Sequence, residues 1–133
     1  MKDRTVLQAK RLGIVSCKRQ DVLDGIAQRM ADDDISALVV VNTPGDLAGI
    51  ISRSDLLRAY MESPESWRTL PVEAYMTRDV VTVAPTARLL DAAKLMLGKH
   101  IHRVVVVREG EAGNIPIAVI SDSDLVCDMA DVG

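Results

Sequence analysis

Two stretches of this 133-residue chain set a serine three positions ahead of an aspartate, just before an apolar run: GIISRSD at 49–55 and AVISDSD at 118–124. At a strand-to-helix corner this spacing makes a capping box. The serine (Ser52, Ser121) accepts from the amide three positions on, and the aspartate (Asp55, Asp124) reaches back to the serine amide. Such a cap contributes about 0.5–2 kcal/mol per helix and needs no ligand. The same corner can also recognise one. A helix N-terminus presents unpaired N–H groups and the positive end of a dipole to a phosphate, and a serine hydroxyl adds a hydrogen bond. An aspartate in the first turn can accept from a vicinal diol such as ribose, a charge-assisted bond worth roughly 1.5–3 kcal/mol. Serine for phosphate and aspartate for ribose together fit a nucleotide.

Other chemistries find less support. His100 and His102 stand two apart, as strand ligands of a metal would, and Asp32, Asp33 and Asp34 form an acidic run. Both groups fall between a helical pattern and a valine-rich strand, so they read as solvated loops and no metal is expected. The sequence offers no activated nucleophile, no paired-carboxylate pattern and no phosphate loop with its lysine, so no catalytic residue and no enzyme activity are expected.

The elements that must position the two corners are themselves duplicated. Ile101 stands 66 positions after Ile35, and at that offset ISALVVV (35–41) falls on IHRVVVV (101–107), Met30 on Met96, Ala27 on Ala93 and Leu23 on Leu89. Past the valine runs the offset becomes 69, pairing Ser52 with Ser121 and Asp55 with Asp124. The extra residues lie where NTPGD becomes REGEAGNIP, a turn-forming stretch that tolerates insertion. Each copy reads as strand, helix, strand, hairpin, strand, helix. A short apolar stretch (Ile14–Cys17, Val80–Val83) precedes apolar residues at helical spacing, with Pro85 and Thr86 marking a helix start. The runs ALVVV and RVVVV are too continuous for half-exposed strands and predict burial on both faces. The expected organisation is a first repeat at 8–61, a linker at 62–71 and a second repeat at 72–130. Units of this size are marginal alone, which predicts one intertwined domain.

Composition narrows the function classes. Hydrophobic residues make up 48% of the chain, with no Phe, one Trp and two Tyr. This aliphatic core leaves few rings to stack nucleobases. A net charge of -3 gives no basic footprint for nucleic acid. No apolar run approaches a membrane span, and the N-terminus lacks a signal-peptide core. Cys17 and Cys127 read as a reduced pair, which suggests a cytoplasmic protein.

Repeat, lead-in and corners together resemble a tandem pair of cystathionine β-synthase-type (CBS) domains, a Bateman module. The residues that carry the likeness are VEAYMTRDVVTVAPTARLLDAAKLM, HRVVVV and the two corners, and it spans about residues 8 to 130. It implies an α+β fold of two β-α-β-β-α repeats packed through their sheets as a pseudo-twofold pair, with two clefts for adenosine compounds: AMP, ADP, ATP, NAD or S-adenosylmethionine. The family's ligand motif is Gly, aliphatic, any, Thr or Ser, two of any kind, Asp. Gly49, Ile50, Ser52 and Asp55 match it fully, while Ala118 replaces the glycine ahead of Ser121 and Asp124. By the same likeness His102 and Arg103 meet phosphates, and Ser16 to Lys18 with Thr82, Val83 and Ala84 line the adenine. The first copy has Ser36 and Ala37 in place of His102 and Arg103. It has Lys18, Arg19 and Arg53 instead, and Asp122 stands where Arg53 does. Asp124 is the preferred ribose carboxylate, with Asp55 behind it. The likeness implies a regulatory sensor that associates as a homodimer. The expected action is in trans on an enzyme or transporter, and the apolar helix face of Leu56, Leu57, Tyr60 and Met61 is the candidate dimer contact. The alternative is a dimerisation or scaffolding module with vestigial clefts.

Overall fold

The computed structural model describes residues 4–9 and 13–132. In chain order the elements are α1 (Val6–Ala9), β1 (Ser16–Lys18), α2 (Leu23–Asp33), β2 (Ala37–Val41), β3 (Leu47–Ser52) and α3 (Arg53–Glu62). Two 3₁₀ turns follow (Trp67–Thr69, Val72–Ala74), then β4 (Thr82–Val83), α4 (Leu89–Lys99), β5 (Arg103–Glu109), β6 (Asn114–Ser121) and α5 (Asp122–Val132). The expected β-α-β-β-α order is present twice. Each copy builds a three-stranded sheet, β1-β2-β3 and β4-β5-β6, with a parallel first pair and an antiparallel second pair.

The two copies share fine detail. Both central strands carry a register shift, between Val40 and Val41 and between Val106 and Val107. Their valines are buried on both faces, as continuous β-branched runs require. Both α2 and α4 end on a non-glycine residue in the left-handed region, Asp34 at φ 51° and His100 at φ 55°, whose N–H bonds the Met30 or Met96 carbonyl. Asp and His tolerate that conformation better than most residues. These two positions therefore close helices. Among the described residues no group of three or more His, Cys, Asp or Glu is placed to hold a metal ion.

The chain divides into two compact units whose limits are staggered against the sequence repeats. One runs from Val15 to Asp79, and the other joins the chain up to Ile14 with Val80 onward. Residues 72–79, the lead-in of the second copy, thus belong with the first copy's sheet, and Arg4–Ala9 belong with the second's. The two lead-ins do equivalent work. Val72 is fully buried in the core of Leu23, Ile26, Met30, Leu38, Val40 and Ile51. Val6 is fully buried in the core of Leu89, Ala92, Met96, Val104, Val106 and Ile120. The Leu23 N–H donates to the Leu70 carbonyl at 2.9 Å, and the Leu89 N–H donates to the Arg4 carbonyl at 2.9 Å. Helix α4 starts at Leu89, beyond Pro85 and Thr86, where this strand-like contact supplies an acceptor. Neither N-cap residue, Val22 or Arg88, makes a side-chain cap. The lead-in carbonyl takes up one of the orphan amides that a helix start leaves.

Among smaller features, Cys17 and Cys127 are both free. Burial, with Asp21 nearby, pushes the Cys17 thiol up to about 11.

Removing either anchor should uncover a core. Val6→Ala and Val72→Ala are each expected to lower stability in urea titrations by about 2 kcal/mol. Val22→Ala, at an exposed helix-cap position, should change stability by less than about 0.5 kcal/mol. Equal effects at all three positions would contradict the anchoring role.

Candidate functional site at the strand-to-helix corners

Both corners fold as capping boxes. At the first, the Ser52 N–H donates to Asp55 Oδ2 at 2.8 Å, the Ser52 hydroxyl donates to the same oxygen at 3.0 Å, and the Asp55 N–H donates back to Ser52 Oγ at 3.4 Å. The other carboxylate oxygen, Oδ1, lies 3.3 Å from the Arg58 guanidinium. Arg58 in turn donates to the Tyr75 carbonyl at 3.1 Å and sits 5.4 Å from the Tyr75 ring centre. Asp55 is consequently 4% exposed. Its carboxylate fastens α3 to its own cap and, through Arg58, to Tyr75.

The second corner repeats the box with different surroundings. The Ser121 N–H donates to Asp124 Oδ2 at 2.8 Å, and the Asp124 N–H donates to Ser121 Oγ at 3.2 Å. Asp124 is only partly buried, and the position matching Arg58 at the 69-residue offset is Cys127. The first three amides of α5 are engaged. The Asp122 N–H donates to the His102 carbonyl at 2.9 Å, and the Ser123 N–H to Asp122 Oδ1 at 2.8 Å. A phosphate at this helix start would have to displace the Asp122 carboxylate, so the N-terminus is no ready-made anion site. Cationic side chains must do that work.

Register decides which side chains can meet. Val104 and Ile120 pair across β5 and β6 and both face the α4 side, as do Val83 and Val106 across β4 and β5. Alternation then puts Thr82, Arg103 and Ser121 on the opposite face. Arg103 pairs directly with Ser121, the residue that opens the Asp124 corner. The first sheet repeats this: Ser16, Ala37 and Ser52 share the face away from α2, and Ala37 occupies the arginine's place. Lys18 lies on that face too, with its ammonium 3.3 Å from the Asn42 carbonyl.

Several expected site residues lie elsewhere. His102 is on the helix side, 3.0 Å from Asp122, beside a cavity of about 330 Å³ lined by Met96, Leu97, His100 and Ile101. Arg53 pairs with Asp34 at 3.2 Å beside an equivalent cavity lined by Met30, Leu56 and Leu57. Within the second unit, His102 and Arg103 thus lie on opposite sides of the sheet. The Val83 side chain is buried in the core, and Ala84 is exposed beyond the end of β4. Gly49 has a packing reason of its own: a Cβ there would lie 2.5 Å from the Thr77 carbonyl oxygen. The neighbouring Ile50 exchanges two backbone hydrogen bonds with Thr77, at 3.0 and 2.8 Å. Two contributors escaped the sequence reading. Arg58 was signalled by acid-to-base spacing of three on a helix. Asn42 holds Arg19 at 2.8 Å through its side-chain oxygen, and no local spacing marks it.

The CBS domain profile matches residues 10–62 and 72–131. The chain belongs to the CBS domain family and carries two copies of the domain. It is 32% identical over 107 residues to the mitochondrial CBS domain-containing protein CBSX3 of Arabidopsis thaliana, across 76% of this chain and 52% of that protein. Its fold is similar to the CBS domain of a CBS domain-containing membrane protein from Sphaerobacter thermophilus, with a TM-score of 0.79 and 28% identity over 94% of this chain and 87% of that one. It is also similar to the CBS domain pair of protein MJ0100, solved with 5'-methylthioadenosine and S-adenosyl-L-methionine, with a TM-score of 0.84, 18% identity, and coverage of 99% and 100%. The chain spans 38% and 52% of the lengths of two curated relatives that it matches. No described helix is long and apolar enough to cross a membrane.

The packing account of Gly49 is directly testable. Gly49→Ala should lower the stability of the ligand-free protein by about 2 kcal/mol in urea titrations, because the methyl meets backbone that cannot swing away. A neutral substitution would show that the glycine is kept for another reason.

Proposed function

We propose that the chain is a regulatory module that binds an adenosine compound (AMP, ADP, ATP, NAD or S-adenosylmethionine) at the second corner, without catalysing a reaction. The carrying observation is the shared sheet face: Arg103 and Ser121 are direct strand partners, and Ser121 opens the turn that presents Asp124. In this reading Asp124 accepts from the ribose hydroxyls, and the Arg103 guanidinium meets phosphate or carboxylate through its planar fork. Thr82 adds a hydroxyl to the same face. The complex of MJ0100 with adenosine compounds supports the ligand class. The first corner is assigned a structural role, because the Asp55 oxygens are held by Ser52 and Arg58. That arrangement supports the scaffolding alternative for the first copy.

Regulation in trans, on an enzyme or transporter in the cytoplasm, completes the proposal, with a homodimer as the working form. Leu57, Tyr60 and Met61 on α3 and Leu97, Val126 and Met129 on α4 and α5 are more than half exposed. These faces flank the two helix-side cavities and offer apolar area for a second copy. Leu56, by contrast, packs against its own unit's core.

Thermal-shift measurements with the five compounds test the ligand reading. A compound at 100 times its dissociation constant should add about 2.7 kcal/mol. Asp124→Ala and Arg103→Ala should weaken that binding at least about tenfold, the loss expected for one charge-assisted bond, whereas His102→Ala and Asp55→Ala should leave it within about twofold. A shift with none of the five, or loss on Asp55→Ala alone, would reject the assignment. For the dimer, Leu57→Glu with Met61→Glu should convert sedimentation of the wild-type dimer to that of a monomer. A wild-type monomer would refute the homodimer.

A further inference from the structure

The lead-in of the first copy is held in a way that its counterpart is not. Arg4 lies 2.8 Å from Asp128 Oδ1, and Asp128 is 6% exposed. The other carboxylate oxygen, Oδ2, is buried with no hydrogen-bond partner among the described residues. At the offsets that align the repeats, Arg4 matches Leu70 and Asp128 matches Ala59. Ala59 is fully buried, and Leu70 packs against the cluster that contains it. The fold thus needs no charge at this place, since the other unit closes the equivalent contact with aliphatic groups. A desolvated carboxylate with one oxygen unsatisfied opposes docking, and among the described residues the Arg4 guanidinium is the cation that offsets it.

Asp128 also lies one helical turn beyond Asp124, on the same side of α5. The segment Arg4–Ala9 packs against both α4 and α5. Its undocking would hydrate the second turn of the helix whose first turn carries the proposed ligand carboxylate.

We propose that Arg4–Ala9 is a releasable strap, that the Arg4–Asp128 ion pair decides whether it is docked, and that docking is coupled through α5 to ligand binding at Asp124. The coupling rests on the ligand reading above, whereas the strap does not. An element of low local stability is the kind that opens without global unfolding, and any effect of the strap on the ligand must be matched by an effect of the ligand on the strap.

Hydrogen exchange on the full chain, without ligand, tests the strap through the Val6 amide, which donates to the Ala87 carbonyl at 2.9 Å, and the Leu89 amide. Arg4→Ala should speed their exchange at least about tenfold, and the aliphatic pair Arg4→Leu with Asp128→Ala should slow it below wild type by a similar factor. The Val72 and Leu23 amides, in the other unit, should be unchanged in both. Exchange in the double variant as fast as in wild type, or no change on Arg4→Ala, overturns the strap. The double variant keeps this test decisive even if Arg4→Ala fails to fold. Calorimetry with ATP then tests the coupling, with the double variant expected to bind at least about fivefold more tightly than wild type. Equal affinity overturns the coupling alone. Absence of ATP binding to either protein overturns it together with adenine-nucleotide binding at Asp124, and exchange then decides the strap by itself.

Discussion

A single backbone hydrogen bond, made twice, organises much of each unit: the first amide of α2 donates to Leu70, and the first amide of α4 to Arg4. It fixes a lead-in segment across the start of a helix that has no side-chain cap, and it delivers the next residue but one, Val72 or Val6, into the core. A three-stranded sheet with two helices buries little apolar surface alone, since small units have unfavourable surface-to-volume ratios. The lead-in supplies the missing wall. In each case that wall comes from the copy whose sheet lies in the other compact unit, so the repeats in the sequence and the units in space are staggered along the chain.

The same constraint shapes the corners. Thr77, a few residues after Val72, pairs with Ile50 and fills the space that a side chain at position 49 would need. At the matching place Ala118 is fully buried within the second core. The Gly-to-Ala difference between the copies is therefore a packing difference. What separates their chemistry is charge: Arg58 against Asp55 in one unit, Arg103 beside Ser121 in the other.

Much of this was legible in the sequence. The duplicated spacing gave the element order, the valine runs gave strands buried on both faces, and the serine–aspartate spacing gave both capping boxes, because these signals are local and periodic. His102 and Arg103 are adjacent in the sequence, which by itself groups them together. In a strand, neighbours point to opposite faces, and the core residue Val104 decides which face is which. Pairing over long range was also hidden. Nothing near Asp128 in the sequence announces Arg4, and nothing near Gly49 announces the Thr77 carbonyl. Ligand-motif glycine and packing glycine look identical in a one-dimensional pattern.

The central claim is that one corner of two binds the ligand and that its aspartate takes the ribose. A crystal structure of the chain soaked with ATP addresses it most directly. The account predicts a nucleotide whose ribose hydroxyls donate to Asp124 and whose phosphates meet Arg103, with Asp55 still bound to Ser52 and Arg58. A nucleotide seated on Asp55, or one that touches neither Asp124 nor Arg103, would contradict it.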